Sequence, residues 1–236
     1  LINENHSLGG IITHGTIQDF GDNLLYGFDY QYENIVLSDQ SLQINAWYQN
    51  AQNDNKPGSI DAKAYGAQLL MPNDRVYLRA KYRYLGDDFD PAIGFVNRTG
   101  IQYYEALNHL RWRPDSEWLS YYQIVTGYYQ TDDTDGHLQS RKYLFKPVVL
   151  RTNQSESFEL IYINREEVLT TALEFSENIN FSAGTHRFST LGASFKSDTS
   201  RDFYATVDVE KGTYYSSDYK SISTEFSYQP SKHLRL

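Results

Sequence analysis

Along about a dozen Tyr-rich segments of this chain, apolar and aromatic residues occupy one parity and polar or charged residues the other. In Asn23 to Glu33, the residues Leu24, Tyr26, Phe28, Tyr30 and Tyr32 oppose Asp29, Gln31 and Glu33. Leu42, Ile44, Ala46 and Tyr48 oppose Gln43, Asn45 and Gln49 in the same way, and Phe203, Ala205, Val207 and Val209 oppose Asp202, Asp208 and Glu210. Side chains alternate across a strand, so each segment predicts a strand with one apolar and one polar face. A slip of one residue would exchange the two faces, which makes the register strongly specified.

Two kinds of all-β protein use such strands: one packs the apolar faces together, and the other turns them toward lipid. Composition favours the second. Tyr, with 21 residues, exceeds Phe with 12 and Trp with 3, and a soluble core of this size uses more Leu, Ile and Val. Tyr suits a surface that is apolar along the ring and wet at the hydroxyl. No stretch approaches the roughly 20 apolar residues of a membrane helix, and the mean hydropathy is -0.60. Barrel strands escape hydropathy tests because only alternate residues face lipid. The pattern therefore predicts an antiparallel up-and-down transmembrane β-barrel in a bacterial outer membrane, porin-like, from a Gram-negative cell envelope, with lipid as its first partner.

The net charge of -9 and the absence of a basic run argue against a nucleic-acid binder. No cysteine is present, which excludes disulfides and thiolate metal sites. The chain starts without a signal-peptide pattern and stops at Lys232-His233-Leu234-Arg235-Leu236, unlike the aromatic end of a closing barrel strand. Residues 1–236 thus read as one domain, a fragment of a larger barrel, with no second domain.

Turn residues divide the chain into hairpins. Short turns are expected at Ser38-Asp39-Gln40, Pro72-Asn73-Asp74, Pro114-Asp115-Ser116, residues 152–156, residues 197–200 and Gln229-Pro230-Ser231. Longer connections are expected at residues 18–23, 50–59, 86–98, 131–136, 166–184 and 212–218. Parity is poor in residues 117–130, where both faces carry tyrosines, and in residues 137–151, where Pro147 marks a bulge or strand end.

One segment goes beyond general pattern. Gly86-Asp87-Asp88-Phe89-Asp90-Pro91-Ala92-Ile93-Gly94-Phe95-Val96-Asn97-Arg98 resembles the "dF-P-x-x-GFv-x-R" segment of a bacterial family called domain of unknown function 5916. Asn164-Arg165-Glu166-Glu167-Val168-Leu169, Phe175, the turn from Phe181 to Thr185, Ser200-Arg201, Gly212 and Gln229-Pro230-Ser231 follow in an order similar to that family's later half. The resemblance implies an outer-membrane barrel, often preceded by a periplasmic domain similar to a family-9 carbohydrate-binding module. It supplies no catalytic residues.

The sharpest functional candidate is the basic parity Arg75, Arg79, Lys81 and Arg83, which opposes Val76, Leu78, Ala80, Tyr82 and Tyr84. Charges on the lipid face cost about 2–4 kcal/mol near the midplane, so these residues are expected to face a lumen, together with Asp61 and Lys63. There they either bias a pore toward anions or neutralise carboxylates such as Asp61 and Glu105. Asp87, Asp88, Asp90 and Arg98 are loop candidates, with Arg98 expected to bond Asp88 or Asp90 and draw the loop inward. An acidic folded-back loop is a simpler reading of those carboxylates than a calcium site, and a plain hairpin is the simpler reading of Asp132, Asp133 and Asp135. No metal-ligand spacing, nucleophile elbow or phosphate loop occurs, so no cofactor and no catalytic residue is expected. The reading that results is a channel for small solutes, or the membrane anchor of a carbohydrate-binding-like domain. An outer-membrane enzyme with a rim active site and a soluble glycan-binding all-β protein stay open as alternatives.

Overall fold

The computed structural model describes residues 4–17, 21–36, 40–53, 60–91, 94, 96–176, 179–215 and 217–229. Its strands are β1 (His6–Ile17), β2 (Gly21–Val36), β3 (Gln40–Asn53), β4 (Lys63–Pro72), β5 (Val76–Leu85), β6 (Ile101–Trp112), β7 (Leu119–Asp133), β8 (Leu138–Thr152), β9 (Ser157–Leu169), β10 (Leu173–Ser176), β11 (Ile179–Phe181), β12 (Gly184–Lys196), β13 (Phe203–Tyr214) and β14 (Ser217–Tyr228). Twelve of them form one sheet whose order follows the chain from β1 through β9 and then β12 to β14. The up-and-down antiparallel order predicted from the hairpin pattern is present. β10 and β11 pair separately, and β1 and β14 stand at the two ends of the large sheet's order. No helix among the described residues is long and apolar enough to cross a membrane.

Contacts divide the chain into two compact units. The first comprises Leu1–Asn73, Tyr77–Ala106 and Tyr129–Gln139. Here the register joins like faces: Leu8 pairs with Tyr30, Tyr26 with Asn50, Phe28 with Tyr48, Tyr48 with Tyr65 and Tyr65 with Tyr84. This aromatic face is open, with Ile12 74% and Phe28 61% exposed. The other face, the more covered one, is half-buried along most of its length and exposed at Gln31. It carries Asp29, Gln31, Asn45, Trp47, Gln68, Arg79 and Arg83, and at one end Leu25, Ala51 and Ala64 close into a small core with Phe89, against which Trp47, Leu85 and Val96 pack. Gly66 pairs with both Trp47 and Arg83, and a Cβ there would stand 3.0 Å from the indole and 2.8 Å from the Tyr82 carbonyl. The indole thus lies over a strand position that only glycine leaves free.

The second unit comprises Asp74–Val76, Leu107–Tyr128 and Ser140–Leu236. Its open face carries Phe158, Leu191, Phe195, Val209, Ile222 and Phe226, while Gln123, Val125, Val149, Phe188, Thr190 and Ser194 are buried on the other. β8 and β9 shift register between Phe145 and Val148, so Lys146 and Pro147 together oppose Ile161. That is the bulge expected at Pro147, and it explains the broken parity: Tyr143 and Phe145 share the open face with the even residues Val148 and Leu150 beyond it. β7 and β8 each run 15 residues despite their irregular patterns.

Short turns are tied to one another. Asn73 caps both the amide and the carbonyl of Ser41 in the first unit. In the second, Asn153 binds the carbonyls of Ser116 and Trp118, and Arg201 reaches Gln154 and Glu156. Three connections expected to be long are tight instead. β1 and β2, β7 and β8, and β13 and β14 extend almost to the tips of their hairpins, because polar residues continue the ladder where composition alone reads as loop. The Ser38-Asp39 turn, residues 54–59, Ala92, Ile93, Phe95 and residues 230–236 lie outside the described residues.

Candidate functional site

On the more covered face of the first unit, positive charge is concentrated along β5. β5 alternates, so Arg79, Lys81 and Arg83 stand on that face while Leu78, Ala80, Tyr82 and Tyr84 pair with the aromatic side of β4. Arg79 forms an ion pair with Glu105 through its Nε and a terminal nitrogen, and Glu105 is buried to 8% exposure. The Tyr103 hydroxyl donates to the other Glu105 oxygen at 2.9 Å. The Arg83 guanidinium lies 4.8 Å from the centroid of the Tyr103 ring, and its buried Nε has no hydrogen-bond acceptor among the described residues. Lys81 makes no ion pair among the described residues and is set beside Gln68. Three half-buried cations in a row along β5 therefore share one close carboxylate, Glu105, and the surplus is positive along that strand.

Arg75 does not join this row. It precedes β5 in the Asn73–Arg75 turn, exposed, with its carbonyl accepting from the Arg111 amide. Lys63 also departs from the expected arrangement. Its register partner is Asn50 on the open aromatic face, its ammonium lies 5.5 Å from the Tyr84 ring centroid, and Asp61 sits 3.5 Å from it. Tyr84 donates to Asp61 at 2.5 Å. Asp61 and Lys63 thus belong with Tyr84 at the end of the aromatic face, opposite Arg79. The strand parity changes from even to odd between β3 and β4, a step invisible in either segment alone.

The described residues between Gly86 and Gly100 fold back across the end of the more covered face. Phe89 is buried against Leu25, Ala51 and Ala64, as the folded-back reading of the segment requires. The carboxylates hold the fold. Asp88 accepts from the amides of Ile60 and Asp61, Asp87 accepts from the Thr134 hydroxyl, and the Asp90 carbonyl accepts from Asn53. Gly86 passes so close to the Asp61 carbonyl that no side chain fits there. Arg98 bonds Gln139 in place of the expected Asp88 or Asp90, and the Asp88 carboxylate is taken up by the Ile60 and Asp61 amides. Beside the loop lies a cavity of about 290 Å³ lined by Ile11, Thr13, Leu25, Gln49, Phe89 and Val96.

Sequence reasoning missed a second charged group, in the second unit. Asp74 accepts from Arg111 and from both ends of the Arg113 guanidinium, each at 2.7 Å. Tyr121 lies beneath both arginines, 4.4 Å from Arg111. The two guanidinium hydrogen bonds, Arg113 first, hold the Asp74 carboxyl well below the usual carboxylate range. Arg-x-Arg before Pro114 was the available signal. At the opposite hairpin tip Tyr215, at φ 51°, donates to Glu167 at 2.6 Å, and burial followed by that bond pushes its phenol up to about 12.

Asp133, Asp135 and His137 bring one ligand atom each within 4.8 Å. Asp133 is already used as a hairpin cap, accepting from the His137 amide and facing its Nδ1 at 3.0 Å. Asp132 points away, accepting from Gln130. Compared with known protein families, curated proteins and solved structures, the chain matches none.

Proposed function

We propose that the chain is the barrel region of a bacterial outer-membrane protein that passes small solutes, with a preference for anions set by Lys81 and Arg83. One observation carries the reading: within each unit the more exposed face of the strands is mainly apolar and aromatic through its middle, while the polar face is the more buried one. A soluble protein reverses that arrangement, because leaving Ile12, Phe28, Leu191, Ile222 and Phe226 in water forgoes the burial that drives folding. In lipid the same arrangement is favourable, and a cation on the water-filled side avoids the cost of hydrocarbon. The resemblance to domain of unknown function 5916 adds that such a barrel anchors a periplasmic carbohydrate-binding-like domain; on that reading a carbohydrate is a second partner.

Planar-bilayer recording of the full-length protein tests the proposal. The parent should conduct and favour anions, and Lys81→Glu with Arg83→Glu should shift the reversal potential toward cations. A parent that does not conduct, or an open variant of unchanged selectivity, would reduce the basic row to structural charge pairing.

A further inference from the structure

The geometry points to a binding groove for one phosphate-bearing lipid on the open face of the second unit, a site that rests on the membrane reading above. Along one level of the sheet the register sets Leu160 beside Ala193, Ala193 beside Val209, and Val209 beside Ile222. Ala193 is the small member of this row, and the flanking side chains leave a cavity of about 430 Å³ over it. Its walls are almost wholly apolar, as an acyl chain requires.

One pair nearer the hairpin tip, Lys211 stands directly opposite Lys220 on the same face, and both line the cavity. Like charges directly opposite in a ladder repel. Neither lysine forms an ion pair or side-chain hydrogen bond among the described residues, although Asp218 is one pair away on the same face. Two unneutralised ammonium groups therefore close one end of an apolar groove. Below them the face continues through Val207 to Phe203 and Phe226, whose rings stack at 6.1 Å. From Lys211 to Phe203 the strand runs roughly 26 Å, the height of a barrel's apolar band. The lysines consequently reach the level of headgroups while the groove lies at the level of chains. A phosphodiester between the two ammonium groups, with its acyl chain over Ala193, satisfies both features. A neutral lipid satisfies only the second.

The test reconstitutes the chain in phosphatidylcholine vesicles with and without phosphatidylglycerol, then identifies retained lipid by native mass spectrometry. Vesicle flotation is scored separately. The parent should float with both vesicle types and retain phosphatidylglycerol selectively. Lys211→Gln with Lys220→Gln should weaken that retention roughly 30-fold, from about fivefold per lysine beside an anionic headgroup. Ala193→Leu, which fills the groove and keeps the charge, should also weaken it. A parent that floats in phosphatidylcholine but retains phosphatidylglycerol no better than the variants would overturn the groove and leave the membrane reading intact. Failure to float in either vesicle would overturn both.

Discussion

Single residues decide how charge is carried in this sheet. The Asp74 fork is half open to water, so solvent screens it and it contributes little to stability, but its titration is diagnostic. Its carboxyl is depressed by the two arginines, so its stabilisation is complete above the ordinary aspartate pKa and is lost only as pH falls through the lower folded value. A carbon-13 titration should find Asp74 still ionised where unpaired carboxylates have taken up protons, and replacing Arg111 and Arg113 by Ala should return it to their range. An unshifted Asp74 in the parent would contradict the fork. Gly66 makes a second test: Gly66→Val drives methyl groups into the Trp47 ring and should cost about 1–3 kcal/mol in denaturant unfolding. A neutral result would mean the indole does not lie there. Of the two carboxylates the sequence offered as neutralising partners, Glu105 meets the basic row and Asp61 pairs with Lys63 and Tyr84 instead. The sequence did not announce Arg98 with Gln139, which depends on how a loop closes in space.

At the scale of elements, alternation was legible wherever a strand keeps one register from end to end. β2, β3, β5 and β13 do, and their faces were readable in advance. β8 does not, because its bulge exchanges parity halfway along. β7 was unreadable for another reason: Tyr121 serves the arginines of the covered face, and Tyr122 stacks 5.0 Å from Trp112 on the open one. Tyrosine does both tasks, so its presence on both parities says nothing about direction. The bulge makes a sharp prediction. Deleting Pro147 leaves Lys146 alone opposite Ile161 and every other side chain of β8 on its present face, so refolding yield in detergent should survive. Deleting Leu144 instead exchanges the faces of the strand on one side of the cut and should abolish it. Equal yields for the two deletions would rule out the register of β8 on β9.

Over the whole molecule, the surplus of 30 acidic residues over 21 basic ones hides a local reversal on the covered face of β5. Net charge therefore predicts nothing about selectivity, which follows from the charges that line the path of the ion. The order of strands was legible because turn chemistry punctuates it. The loop across the covered face was legible only in part, through Phe89 and Pro91, since its anchors come from Asn53 and Ile60 of the β3–β4 hairpin and from Thr134 of the β7–β8 hairpin.

The placement of the three tryptophans supplies intrinsic optical reporters of depth. Trp47 packs against the small core of the covered face, Trp112 is stacked on the open face, and Trp118 is 62% exposed in the β6–β7 turn. With single-tryptophan variants in bilayers, bromine on the acyl chains should quench Trp112 and spare Trp47, whereas aqueous iodide should quench Trp118 most. Emission from Trp112 that ignores the brominated chains would mean that the aromatic face never meets hydrocarbon.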